Sequence, residues 1–174
     1  MVPDDAVSGP ILTSVQRITR VGFGHPDALL LIEAVQQEYV ALYGGRDDTP
    51  LDPLMFEPPA GSFFVGYADE VPVVSGAWRR RGDLDLFGST ESAEIKRMYV
   101  APHVRGHGLA RGMLSHLERT AVDAGARVMV LETGTAQPEA ITLYLSSGYT
   151  RIESYGHYKW SPENRCFGKP LTGF

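Results

Sequence analysis

The 174-residue chain holds one cysteine, Cys166, so no disulfide can close within it and no paired-cysteine zinc motif exists. That scarcity fits a reducing compartment, and a cytoplasmic protein without a bound metal is expected. Cys166 itself reads as a small buried residue. No apolar run reaches the roughly 18–20 residues that span a bilayer. The first residues carry Asp4 and Asp5 instead of a basic and then apolar leader, so neither a signal peptide nor a membrane partner is expected. Positive charge is short as well: 16 Lys and Arg stand against 21 Asp and Glu, for a net charge of -5. A nucleic-acid partner is therefore not expected. The one basic run, Arg79-Arg80-Arg81, reads as a solvated strand end. No internal repeat occurs, and no Gly-Lys-Ser/Thr step exists to make a P-loop.

What is present is an ordinary globular composition, 43% hydrophobic and 21% charged, over a length that suits one domain spanning residues 1–174. Residues 1–10 read as a loose tail and Ile11 to Arg20 as an edge strand. Pro26-Asp27 opens a helix that Gly44-Gly45 ends. Arg46 to Gly61 holds four prolines and the acids Asp47, Asp48, Asp52 and Glu57. It reads as a solvated acidic loop with one short helical turn, or alternatively as a lure for a cationic amine. Residues 63–68 and 71–80 form a hairpin around Asp69-Glu70, with Gly76 as a bulge or close approach. Residues 94–100 make the next strand. Leu109, Met113, Leu114, Leu117 and Ala121 then mark one face of a helix over about 108–124. Val128 to Leu131 is an apolar central strand, parallel to its neighbour. Pro138 starts a further helix that Gly148 stops, and residues 149–155 and 166–171 read as two last strands. The sum is a mixed α/β sheet.

The densest signal is Val100-Ala101-Pro102-His103-Val104-Arg105-Gly106-His107-Gly108-Leu109-Ala110. It is a strand end, a glycine turn with a lead arginine, and a helix start. Such a turn aims several N–H groups at one point where the helix dipole favours an anion. Arg105 adds a planar fork of donors for phosphate oxygens. A dinucleotide site is one rival reading, with Glu132 as the ribose acid. Gly106, Gly108 and Gly112 are misspaced for it, and the turn comes too late in the chain for a second nucleotide half.

These residues resemble the acyl-CoA pyrophosphate loop of the GNAT N-acetyltransferases: Arg or Gln, two residues, Gly, one residue, then Gly or Ala. Arg97-Met98-Tyr99-Val100 is similar to that family's fourth strand. Pro138-Glu139-Ala140-Ile141, Leu143-Tyr144 and Gly148-Tyr149 are similar to its later helix and the step after it. The resemblance is strong over residues 63–155. It implies a mostly antiparallel sheet of six to seven strands, flanked by helices and splayed between the fourth and fifth strands. It also implies an acetyl-CoA-dependent acetyltransferase acting by direct transfer in a ternary complex. Gly106, His107, Gly108, Leu109 and Ala110 would hold the diphosphate with Arg105. Main-chain groups of Met98, Tyr99 and Val100 would hold pantetheine and the thioester carbonyl. Gln137 stands where many relatives have an Asn that contacts the cofactor. Tyr144 would protonate the departing thiolate. Glu94 is the first candidate base, against the bland reading of a surface carboxylate paired with Lys96, and Glu132 is the second. Tyr155-Gly156-His157-Tyr158 would line the acceptor pocket or form a turn of packed aromatics. The partner is a small-molecule or peptide amine, and the family leaves a homodimer open. A non-catalytic acyl-CoA sensor would keep the loop and dispense with the acid and base.

Overall fold

The computed structural model describes Val15 and residues 17–172. The expected tail at 1–10 and most of the expected edge strand before Arg17 lie outside these residues. The strands are β1 (Arg17–Val21), β2 (Gly61–Ala68), β3 (Val71–Arg81), β4 (Ser92–Val100), β5 (Val128–Gly134), β6 (Thr150–Arg151) and β7 (Asn164–Pro170). They form one sheet in the order β1-β2-β3-β4-β5-β7-β6. Every pairing is antiparallel except β4 with β5. The helices are α1 (Pro26–Tyr43), α2 (Leu109–Asp123) and α3 (Pro138–Ser146). This is the mixed, mostly antiparallel architecture that the sequence implies. Among the described residues no helix is long and apolar enough to cross a membrane.

Local chemistry explains the boundaries. His25 Nδ1 accepts from the Asp27 N–H at 3.2 Å, Pro26 supplies the first helical turn, and Gly44 at φ 77° closes α1. Asp69 and Glu70 both take positive φ, which matches the right-handed twist of the strands they join. On α2, Leu109, Met113, Leu114, Leu117 and Ala121 are buried, as their spacing demands. That face can approach the sheet because β3 has no side chain at Gly76. A Cβ there would stand 2.9 Å from both Leu117 Cδ1 and Met113 Cγ.

A bulge does form opposite Gly76, but its extra residue lies on the facing strand. Ser75 pairs with Tyr99 and Ala77 with Lys96, so Arg97 and Met98 together face one glycine. Arg97 takes φ 53°. Its carbonyl accepts from Ser75 Oγ at 2.9 Å, and its guanidinium pairs with Asp47 at 2.5 Å.

The last expected strand pair is corrected. Only Thr150 and Arg151 of the expected 149–155 strand pair with β7. Beyond them Tyr155 turns into a small buried cluster with Val128, Val130 and Cys166. The loop after α1 does contain its helical turn, at Pro53–Phe56, and Phe56 there is fully buried against Phe23 and Phe63.

The functional consequence lies at mid-sheet. β4 and β5 pair at three positions only: Ser92 with Val128, Ala93 with Met129, and Glu94 with Val130. Both strands continue, to Val100 and Gly134, without further pairing. A wedge opens between two strands whose facing edges carry unpaired backbone groups.

Candidate functional site

The wedge is part of a groove of about 1290 Å³ that runs from the start of α2 to the loops after α1 and β6. At one end, Gly106 (φ 82°) and Gly108 (φ 79°) turn the chain into α2. Both conformations lie in the left-handed region that favours glycine. No side chain caps α2 at Gly108. Among the described residues, the N–H groups of residues 106–111 donate to no backbone carbonyl. Six open donors at a helix N-terminus make an anion cradle. Leu109 and Ala110 line the groove beside them, as do Met98, Tyr99 and Val100 on β4.

Two loop side chains behave differently from the rest of the motif. Arg105 also lines the groove, but its guanidinium is partly engaged. Its Nε donates to the Val100 carbonyl at 2.8 Å, and Nη2 pairs with the Glu38 carboxylate of α1. His107 is exposed, approaches the Val104 carbonyl at 3.2 Å, and faces a smaller hollow with Arg17 and His116. Gln137 lines the groove with its carbonyl oxygen already held, by the Tyr43 hydroxyl and by Thr133 Oγ1, each at 3.2 Å.

Tyr144 of α3 forms part of the groove wall. It is 6% exposed, packs against Tyr149 and Phe167, and its hydroxyl bonds to no described residue. Burial pushes the phenol well above its ordinary range, so it stays protonated. Tyr39 of α1 stands nearby and is pushed up to about 12 by the same cause.

The two candidate bases have unlike surroundings. Glu94 is fully buried and does not line the groove. One oxygen accepts from Arg79 Nε at 2.8 Å and Arg81 Nη1 at 2.9 Å. Burial alone would raise its pKa, but Lys96, Arg79 and Arg81 outweigh burial and lower it. The reading of Arg79-Arg80-Arg81 as a solvated strand end is therefore corrected. The Arg79 and Arg81 side chains are 12% and 14% exposed. Alternation along β3 turns both inward onto a carboxylate. Glu132 of β5 does line the groove, with a side chain 8% exposed. Its Oε1 lies 3.7 Å from Lys96 Nζ, and its Oε2 is buried without a hydrogen-bond partner among the described residues. Burial raises its pKa, Lys96 opposes, and Glu94 and Asp47 reinforce, leaving it raised.

The far end is closed by side chains from distant segments. Asp47 sits between Arg97 and Lys96, which hold it below the usual carboxylate range against burial. Asp48 accepts from the Tyr158 hydroxyl at 2.5 Å and lies 3.0 Å from His157 Nε2. The acidic loop is thus only partly solvated. Asp47 is an internal ion-pair partner, and Asp52 caps the short turn through the Leu54 N–H. Tyr155 to Tyr158 combine both earlier readings, for they form a turn and Tyr158 lines the groove. The residues that motif reading missed are Glu38, Tyr39 and the buried state of Lys96. The Glu94–Lys96 alternation did put the lysine on the acid's face, but nothing local signalled that the face is covered.

Residues 32–149 match the Acetyltransferase (GNAT) family. A protein named IAA acetyltransferase from Azospirillum brasilense is 31% identical over 141 residues, 81% of this chain and 88% of the relative. An acetyltransferase of the GNAT family from Staphylococcus aureus superposes with TM-score 0.69 at 17% identity, covering 90% of this chain and 100% of that one. The yncA protein of Salmonella typhimurium, solved with its cofactor acetyl-CoA, superposes with TM-score 0.61 at 18% identity, covering 91% and 96%.

Proposed function

This chain belongs to the GNAT acetyltransferase family and is an acetyl-CoA-dependent N-acetyltransferase, and we propose that it acetylates a primary amine by direct transfer in a ternary complex. The observation that carries this reading is the three-pair limit of the β4–β5 ladder. It leaves an edge for an extended arm, with an anion cradle at one end and two ionisable groups, Tyr144 and Glu132, along the wall. The residues fit the cofactor's parts: N–H groups of residues 106–111 for the diphosphate, and β4 main-chain groups of Met98 to Val100 for the pantetheine amides and thioester carbonyl. His107 and Gln137 sit at the margin of that set.

Acetyl-CoA supplies an acetyl group on a good leaving sulfur. The protein supplies the proton transfers. A lysine-like amine has a pKa of about 10.4 and arrives protonated near neutral pH. Glu132, held above the ordinary carboxylate value by burial and facing the groove, takes that proton. The freed lone pair bonds to the acetyl carbon while β4 N–H groups stabilise the oxyanion. As the C–S bond breaks, Tyr144 gives the departing sulfur a proton, and the attacking nitrogen sheds its second proton to the resulting phenolate, which leaves a neutral amide and restores the phenol. Glu94, clamped behind Lys96, is assigned a holding role in place of the base role first considered. Cys166 is fully buried and burial raises its thiol, which supports transfer without an acyl-cysteine. Cys166→Ala is expected to keep its turnover.

The acceptor is a small-molecule or peptide amine. The test is free-thiol release from acetyl-CoA across a panel of alkylamines, amino acids, arylamines and N-terminal peptides. Release with at least one class is expected. Release with none, alongside tight acetyl-CoA binding by calorimetry, would instead indicate the sensor reading.

A further inference from the structure

We propose that Lys96 and Glu94 act on Glu132 by charge from opposite sides, as positioning residues: the Lys96 ammonium is its counter-ion, and the Glu94 carboxylate, anchored by Arg79 and Arg81, is a like charge fixed behind that ammonium. This rests on the reading of Glu132 as the base.

Three carboxylates from three segments surround one buried ammonium. Lys96 Nζ lies 3.7 Å from Glu132 Oε1, 4.0 Å from Glu94 Oε1 and 4.0 Å from Asp47 Oδ2, and the lysine side chain is 7% exposed. The three acids are not equivalent. Asp47 has Arg97 at 2.5 Å. Glu94 has two arginines, at 2.8 and 2.9 Å. Glu132 alone of the three has no arginine, and among the described residues Lys96 is its only ion-pair partner. Glu94 Oε1 and Glu132 Oε2 are both buried without a hydrogen-bond partner there. The arrangement therefore gives arginine hydrogen bonds to the two carboxylates that keep their charge, and leaves the one that has to change protonation state with Lys96 as its counter-ion and Asn164 as a neutral neighbour.

The groups facing Glu132 come from every neighbouring element. β4 presents Lys96 and Glu94, and the loop after α1 presents Asp47 with Arg97 beyond it. β7 presents Asn164 and Cys166. The segment after β6 presents Tyr155, and Gly156, where a Cβ would stand 3.5 Å from Glu132 Oε1. Of these, Lys96 alone lowers the proton affinity of Glu132 by its charge at close range, while Glu94 and Asp47 raise it. A charge within about 4–6 Å moves a carboxylate's titration by about 1–3 pH units.

The experiment is a carbon-13 NMR titration of the side-chain carboxyl of Glu132, assigned by its loss in Glu132→Gln, on the full chain without ligand. In Lys96→Met the midpoint is expected to rise by about one pH unit or more. In Glu94→Gln, which keeps an acceptor for the arginines, it is expected to fall. A midpoint unmoved by Lys96→Met, or moved in the same direction by both substitutions, overturns the proposal. Should Lys96→Met not fold, Glu94→Gln decides alone, because only the loss of a like charge predicts a downward move. The base reading fails separately. Full turnover of a responsive panel amine by Glu132→Gln would remove it and leave the titration result standing.

Discussion

The two ends of the groove are built from different materials. The proposed cofactor end is mainly backbone: open N–H groups at residues 106–111 and a stretch of β4 unpaired on its β5 side. The proposed acceptor end is side chains, with Asp47 and Asp48 meeting Arg97 and Tyr158 from positions 50 and 110 residues away. Backbone donors are supplied by every sequence, so the first end demands only that glycine stand where φ is positive and that a helix begin there. Side-chain networks demand particular partners, so the second end is free to differ wherever the acceptor differs.

Substitutions can break or sharpen the comparison. The largest effect is expected from Glu132→Gln, a fall in turnover of about 10²–10⁴-fold with acetyl-CoA affinity unchanged by calorimetry. A large loss of cofactor affinity in that variant would merge the two ends. Because Glu132 is raised, wild-type turnover should fall as pH drops through a limb above the usual carboxylate range, and plateau above it. Tyr144→Phe comes next, about 10²-fold in turnover in stopped-flow or steady-state assays, again with cofactor binding retained. Unchanged turnover would leave Tyr144 as core.

The third prediction divides the cofactor end itself. Gly108→Val forces a branched side chain into φ 79°, at a cost of about 1–2 kcal/mol. It should weaken acetyl-CoA binding about tenfold. Arg105→Ala should weaken it less, because that guanidinium is already shared with Val100 and Glu38. The reverse order would mean that side chains, not backbone, carry the cradle. The smallest effect is expected from Glu38→Gln. Removing an anion beside the cradle should tighten binding by about two- to fivefold at low salt and less at high salt.

The same division explains what was legible in the sequence. The hairpin at Asp69-Glu70, the α2 stripe and the glycine turn were readable because each is a local rule, complete within a few residues. Tyr144 was singled out by the family resemblance alone, and the structure puts it on the groove wall. The state of Glu94 was not, because it depends on Arg79 and Arg81 from another strand and on the chain that covers them. Asp47 looked like solvated loop for the same reason: its partner Arg97 lies 50 residues on. The 149–155 segment has strand composition, yet its ladder stops at Arg151 and Tyr155 is buried in the Val128–Cys166 cluster, a destination set by residues far along the chain.

The single extra residue in β4 has one more consequence. A strand normally counts its faces in twos, odd and even, for its whole length. Lys96 lies across from Ala77 and Tyr99 from Ser75, so an even and an odd position share one face. The parity of β4 changes at the bulge, and the strand is read in two frames. Its first half is phased to present Glu94 and Lys96 to the charged cluster, and its second to present Tyr99 beside Arg105 at the glycine turn. Deleting Arg97 would restore one frame throughout and exchange the faces of the residues on one side of the deletion. One position thus keeps the two halves of the same strand in phase with different neighbours.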